Sequence, residues 1–213
     1  MTKPIYYLTV GLFLFSCSAS HEHRSNNWIS LFDGESLLNW KVSGNPNTFT
    51  VQNGMIIANG PVSHLYYNGE VQNHDFKNFE FKVDVMTTPG SNSGIYFHTA
   101  WQENGWPKKG YEAQVNNSQS DWRRTGSLYG IENTREVYVK DNEWFTEYIK
   151  VEGKKIIIKV NNKIIVDYRE PKNVERDPGS EGRILSSGTF ALQGHDPDSK
   201  VYFKNIMVRI LPD

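Results

Sequence analysis

Cysteine is almost missing: Cys17 is the only one in 213 residues. No disulfide can close within the chain and no CxxC pair exists, so the fold rests on core burial and a structural zinc site lacks its ligands. Charge is not concentrated either. The 23 Lys and Arg balance 24 Asp and Glu to a net −1, with no basic stripe of the kind a nucleic-acid partner requires. The longest apolar run, "IYYLTVGLFLF", falls short of the roughly 20 residues a membrane-spanning helix needs. From Trp28 onward there is no helical apolar spacing, which leaves no helix for a phosphate-cradling glycine loop to open. HExxH and GxSxG are absent too, removing the zinc-protease and serine nucleophile-elbow chemistries.

The N-terminal segment has its own pattern. Lys3 precedes the apolar run, and "LFSC" ends it at Cys17. This reads as an export signal, and the small residues before a lone Cys resemble a bacterial lipobox, in which the thiol is lipidated and becomes the mature first residue. Plain secretion and a buried free thiol are the alternatives. The expected division is a lipoprotein signal peptide at 1–17, a flexible tether at 18–27 containing His21 and His23, and one domain at 28–213. The membrane would then be reached through a lipid anchor only, placing the protein in the bacterial cell envelope.

Beyond the tether, apolar residues recur at period two in short segments separated by Gly, Asn, Asp or Pro. "TFTVQNGMIIA" predicts a hairpin about Asn53-Gly54, a dipeptide suited to a type I′ turn. "WFTEYIKVEGKKIIIKVNNKIIVDY" predicts a three-stranded meander turning at Glu152-Gly153 and Asn161-Asn162, and "GTFALQ" and "VYFKNIMVRI" close the domain. At least nine strands make an all-β chain, better suited to a two-sheet sandwich than to a small barrel. Residues 116–143 and 168–187 interrupt the strands as long loops, a length usually functional or disordered.

Three segments carry polar residues on one parity. Glu80, Lys82 and Asp84 oppose Phe79, Phe81, Val83 and Val85; Tyr96 and His98 oppose Ile95 and Phe97; Glu112, Gln114 and Asn116 oppose Tyr111, Ala113 and Val115. If the three are sheet neighbours, as consecutive strands commonly are, their polar faces merge into one floor of proton donors and acceptors. A solvated outer face with cross-strand pairs of Lys82 with Glu80 or Asp84 is the simpler alternative. The loop "AWQENGWPKKG" brings Trp101 and Trp106 beside this floor, where they could stack on a sugar ring or pack over a sheet edge. "FALQGHD" adds Gln193 and His195 on one parity, and Arg135 stands in a loop with Glu132 and Glu136.

Taken in order, "WISLFDGESLLNWKV", "NFEFKVDVMTTPGSNSGIYFHT", "GYEAQV", "NEWFTEYIKVEGKKIIIKVNNKIIVDY" and "GTFALQGH…VYFKNIMV" resemble the 3-keto-disaccharide hydrolase family across nearly all of residues 28–210. Its NSGI motif matches Asn92 to Ile95, followed by His98 where many members have Arg. Its YExQ motif matches Tyr111, Glu112 and Gln114, and its LQxH motif matches Leu192, Gln193 and His195. The resemblance implies a concanavalin-like jelly roll similar to lectins and glucanases. It also implies an oligosaccharide or glycoside substrate, and a partner oxidoreductase that makes the 3-keto group. A ketone at C3 acidifies the C2 proton, so a base can remove it, the C1 substituent can leave, and water can add. Glu112 or His195 would be the base, Lys82 or His98 the enolate stabiliser, and Asp84 or Glu112 the acid, with a divalent cation as a possible replacement for Lys82. Gln114, Tyr96, Trp101, Trp106, Gln193, Arg135 and Asn92 would bind substrate. Two rivals stand beside this: conventional hydrolysis by two carboxylates, with Asp84 as partner to Glu112, and a non-catalytic carbohydrate-binding module.

Overall fold

The computed structural model describes Met1 and residues 27–213. The signal-peptide, Cys17 lipidation and tether expectations, His21 and His23 among them, concern residues outside the described ones apart from Met1 and Asn27. Thirteen strands follow, in two antiparallel sheets. They are β1 (Ile29–Ser30), β2 (Trp40–Gly44), β3 (Phe49–Gln52), β4 (Met55–Ala58), β5 (Ser63–Tyr67), β6 (Phe79–Thr87) and β7 (Asn92–Thr99). The second half adds β8 (Tyr111–Asn116), β9 (Phe145–Glu152), β10 (Lys155–Val160), β11 (Lys163–Arg169), β12 (Thr189–Gly194) and β13 (Val201–Ile210). The larger sheet runs β11-β10-β9-β6-β13-β4-β3, with β1 on β13; the smaller runs β2-β5-β12-β7-β8. Two short 3-10 turns, Pro46–Thr48 and Val71–His74, are the only helical pieces among the described residues.

Turn chemistry sets the hairpins where the sequence places them. Asn53 and Gly54 both take positive φ, 52° and 74°, between Gln52 and its register partner Met55. Gly153 and Asn161, also at positive φ, turn β9 into β10 and β10 into β11. Alternation then fills the core. Phe79, Phe81, Val83 and Val85 of β6 are buried from one side, and Ile95, Phe97, Phe190 and Leu192 from the other. Phe190 alone meets the rings of Phe76, Phe79 and Phe81 at 4.5–4.8 Å. Burying each such ring contributes on the order of 2–3 kcal/mol, which is what a chain without cross-links depends on.

The expected adjacency of β6 with β7 fails. The connection after Thr87 crosses the sandwich, so β6 lies in the larger sheet and β7 and β8 in the smaller. Because each strand turns its apolar side to the same core, their polar sides point in opposite directions. Glu80, Lys82 and Asp84 therefore decorate the far exterior. There Glu80 pairs with Arg209 and accepts from Tyr148 Oη at 2.6 Å; Asp84 accepts from Thr146 Oγ1 at 2.6 Å and Asn205 Nδ2 at 2.7 Å; Lys82 Nζ sits 4.3 Å over the Trp28 ring.

One core residue breaks the pattern. Glu147, on the inward parity of β9 between Phe145 and Ile149, is fully buried, and neither carboxyl oxygen has a hydrogen-bond partner among the described residues. The nearby Gly126 N–H, which could serve it, donates to Gln114 O at 2.9 Å. Burial holds the Glu147 carboxyl well above the ordinary value against the opposing pull of the Gly126 N–H, and the charge of Glu112 pushes it further up. An unpaired polar group in a core costs about 1–3 kcal/mol. Glu147→Met, which fills the same space without polar atoms, is expected to stabilise the fold by about that amount and raise Tm by roughly 3–10 °C in a thermal melt. An unchanged or lower Tm would show that the carboxyl has a favourable partner.

Candidate functional site

The outer face of the smaller sheet is built from two rows of side chains. Lys41, Tyr66, Ala191, Tyr96 and Glu112 are successive register partners across β2, β5, β12, β7 and β8. Ser43, His64 and Gln193 begin the second row, and Gly94 and Gln114 complete it. A fully solvated face would expose these residues. Here Tyr66, Tyr96, Glu112, Gln114, His64 and Gln193 are all buried, because the β7–β8 loop lies across them on one side and residues 117–130 and 176–187 close over the other. Between these covers is a cavity of about 310 Å³ lined by Asn92, Tyr96, Trp106, Pro107, Glu112, Gln114, Asp121, Tyr129, Arg183, Gln193 and His195.

Glu112 forms the floor. Its Oε1 accepts from Gln193 Nε2 at 2.9 Å, and the same nitrogen lies 3.1 Å from the Tyr96 hydroxyl, which in turn bonds the carboxylate. Gly94 sits directly beneath: a Cβ there would run into Glu112 Oε1, Cδ and Cγ. The glycine is thus what lets the carboxylate fold across β7. Burial pushes the Glu112 carboxyl up to about 7, while the bonds from Tyr96 and Gln193 and the positive charge of Arg183 work downward and Asp121 works upward. An acid with that value is divided between its two forms at neutral pH, which suits proton transfer.

The walls come from loops. The His195 ring is oriented by Asp196, whose Oδ2 accepts from Nδ1 at 2.5 Å, so Nε2 is left to act. Burial works to raise the Asp196 carboxyl, but bonds from His195 and Ser199 outweigh it and keep it low, so the pair holds an anion behind the ring. Gln114 Nε2 donates to Asn92 Oδ1 at 3.0 Å. Asn116, next on the same parity, organises the following loop: its Nδ2 donates to Asp121 O and Arg123 O, and its Oδ1 accepts from Gln119 N and Arg124 Nη1. That loop delivers Asp121 and Tyr129. Arg183 arrives from residues 176–187, a segment pinned by Arg176 to Tyr111 and Tyr168, by Gly182 O to Gly110 N, and by Leu185 N to the buried Glu170 carboxylate. Arg183 Nη1 donates to Tyr129 O at 3.1 Å and the guanidinium lies over the Tyr129 ring. Among the described residues no three His, Cys, Asp or Glu side chains are grouped to hold a metal ion.

The profile of the 3-keto-alpha-glucoside-1,2-lyase-like domain matches residues 27–209. The chain belongs to that family. A 3-keto-disaccharide hydrolase from Bacteroides thetaiotaomicron is 30% identical over 80 residues, which cover 34% of this chain and 28% of that protein. The crystal structure of a "putative glycosyl hydrolase" from Parabacteroides distasonis superimposes with a TM-score of 0.72 at 21% identity, covering 87% of this chain and 94% of the other. A carbohydrate binding module from Bacillus subtilis shares the fold at a TM-score of 0.57 and 12% identity, covering 80% and 95%. At these identities the solved structures establish the two-sheet jelly-roll sandwich of lectins and binding modules.

Within this lyase-like domain, the cavity brings together seven of the residues expected from sequence: Glu112, His195, Gln114, Tyr96, Gln193, Asn92 and Trp106. Five are elsewhere. Lys82 and Asp84 face the opposite exterior, as described, which removes both from the expected catalytic group. His98 is excluded by a bulge: Phe97 and His98 together oppose Phe190, and His98 takes φ 55°, turning it away from the face of Tyr96. Its Nε2–H donates to Lys77 O at 2.9 Å and its Nδ1 accepts from Ser186 N at 3.1 Å. Burial lowers its pKa to about 4, partly offset by the bond to Lys77, so it is a neutral structural histidine. Trp101 lies outside the cavity under Lys41 Nζ, and Arg135 stacks on the Trp122 ring 4.0 Å away.

Three cavity-lining residues, and His64 on the floor beside them, escaped the sequence reading. Asp121, Tyr129 and Arg183 lie on long loops whose folding alternation does not report. His64 had one available signal: Ser63 to Tyr67 does not alternate, and all five residues are buried, the mark of a strand covered on both faces.

Proposed function

We propose that this protein cleaves the glycosidic bond of 3-keto-glycosides by removing the C2 proton, eliminating the C1 substituent and adding water to the product. The single observation that carries this reading is Glu112, a carboxylate buried at the floor of a sugar-sized cavity with its pKa raised to about 7. In the proposed sequence Glu112 takes the C2 proton, and the electron pair of the C–H bond passes to the C3 oxygen as an enolate. Arg183 replaces Lys82 and His98 as the stabiliser, since its guanidinium is the permanent cation of the cavity lining. The enolate returns its electrons to break the C1–O bond, and His195, protonated and backed by Asp196, gives its proton to the departing oxygen. Neutral His195 then takes a proton from water as the oxygen adds to C1, and Glu112, whose proton exchanges with solvent in the interval, gives one to C2. Atoms balance as net hydrolysis.

A pH dependence follows. The base must be ionised, so kcat/KM is expected to rise as pH increases through about 7, the value burial imposes on Glu112. A profile rising near 4 instead would mean that an ordinary exposed carboxylate is the base.

Asp121 gives a second reading some support. It lines the same cavity, is bonded by Arg123 and, weakly, by the Tyr129 hydroxyl, and could pair with Glu112 for conventional two-carboxylate hydrolysis in place of the excluded Asp84. Incubation with a 3-keto-glucoside and with its unoxidised parent separates the two. The elimination route releases aglycone only from the keto substrate, whereas release from the parent at a comparable rate favours the carboxylate pair. The proposed lipid anchor at Cys17 would hold this activity at the cell envelope, and metabolic labelling with a palmitate analogue in wild type and Cys17→Ser tests it.

A further inference from the structure

The cavity stops at Trp106, but the polar floor of the smaller sheet continues beneath it. Ser43 Oγ, both ring nitrogens of His64, the Tyr66 hydroxyl and Gln193 Oε1 are buried with no hydrogen-bond partner among the described residues. Buried polar atoms are ordinarily paired, and five unpaired ones in one patch of a single face are unusual. They lie on the two side-chain rows that also hold Glu112 and Gln114. From Glu112 to Tyr66 is three strand spacings, about 14 Å, long enough for two pyranose rings laid across the strands. Between them lie Ala191, which adds only a methyl, and Gln193, whose Oε1 is one of the unpaired atoms.

What covers this patch is the β7–β8 loop, tied at its C-terminal end to the 182–187 segment by Gly110 N to Gly182 O and Lys109 Nζ to Ser187 O. In residues 101–110, Gln102 Nε2 donates to Asn104 O and Trp106 O while its Oε1 accepts from Lys108 N, bracing the loop from within. Against β2 the loop has one backbone hydrogen bond, Gly44 N to Glu103 O at 3.0 Å, and the stacking of Lys41 on Trp101. Trp106 stands edge-on to His64 at 5.5 Å and tilted on His195 at 5.5 Å, yet remains 47% exposed. It covers polar atoms with an apolar ring.

We propose that Trp106 holds the place of a second sugar ring, and that His64, Gln193, Tyr66 and Ser43 form a subsite for the neutral leaving sugar of a disaccharide. When that ring enters, the loop lifts and Trp106 stacks on its apolar face, while the hydroxyls meet the unpaired floor atoms. The sugar is neutral because the subsite is. Burial and the charge of His195 lower the His64 pKa to about 3, so its imidazole is uncharged, and Lys41 is spent on Trp101. This rests on the keto-glycoside reading above and adds which leaving group that site prefers.

The test compares a 3-keto-disaccharide with a neutral hexose leaving group against methyl 3-keto-glucoside, in wild type, His64→Leu and His64→Gln. His64→Leu is expected to lower kcat/KM for the disaccharide at least 10-fold, mostly through KM, and to leave the methyl glycoside within about 2-fold; His64→Gln recovers part of the loss. Equal losses on both substrates, or no loss on the disaccharide, overturn the proposal. If His64→Leu melts early, Ser43→Ala provides the same comparison with less disturbance. Should wild type turn over neither substrate, the activity reading fails by itself. Calorimetric binding of the unoxidised disaccharide then decides the subsite: binding by wild type that weakens at least 10-fold in His64→Leu upholds it, and equal or absent binding overturns it.

Discussion

Glu112→Gln is expected to lower kcat/KM on a 3-keto-glucoside by about 10³-fold, within the range a positioned base contributes, with affinity for the sugar retained. The amide keeps the shape and can still accept from Gln193 Nε2, so the cavity survives the change. A binding module would lose neither affinity nor anything else, and this separates catalyst from lectin. The same substitution has a thermodynamic signature. A carboxyl whose folded pKa is about 7 against an ordinary 4.5 holds its proton more tightly when folded, so wild-type stability falls as pH rises between those values. The cost levels off above about 7 at roughly 3 kcal/mol. Glu112→Gln removes that cost: the variant should be several degrees more stable than wild type at pH 8 and no different at pH 4. Calorimetric melts at the two pH values check this, and a variant less stable at pH 8 would mean that the ionised carboxylate is stabilising.

Gly94→Ala is expected to lower kcat/KM by about 10²-fold while leaving the melting temperature nearly unchanged. The added methyl occupies the space of the Glu112 carboxylate. That group is the flexible end of a side chain, so the fold yields by moving it and little stability is lost. Catalysis does not yield in the same way, because displacing a reacting group by about 1 Å costs on the order of 10²-fold in rate. A variant with full activity would show that Glu112 reacts from some other position. A large fall in Tm would show instead that Gly94 is needed for packing.

Reading the chain recovered the hairpins and the inward faces because both are local. Asn53-Gly54 and the alternation from Phe79 to Val85 act over a few residues, and the structure repeats them. Alternation reports which side of a strand is buried, however, and is silent on which sheet the strand joins. Lys82 and Asp84 were grouped with Glu112 for that reason, and the crossing after Thr87 sends them to the opposite exterior. Tyr96, Glu112 and Gln114 do share one face, because β7 and β8 are a true antiparallel pair. His98, two residues from Tyr96, was lost to a bulge that only its partner strand reveals. Arg183 and Asp121 depend on loop contacts that no periodicity encodes, such as Arg176 with Tyr111, 65 residues away, and Asn116 with Arg123.

The most direct measurement is turnover of a 3-keto-glucoside in D₂O, with the released sugar analysed by NMR at early times against an enzyme-free control. Removal of the C2 proton by Glu112, exchange of the protonated carboxyl with solvent while the aglycone leaves and water enters, and delivery of a solvent deuteron predict one deuterium at C2, absent with Glu112→Gln. Release of the aglycone with hydrogen retained at C2 would contradict elimination and leave direct displacement at C1 in its place.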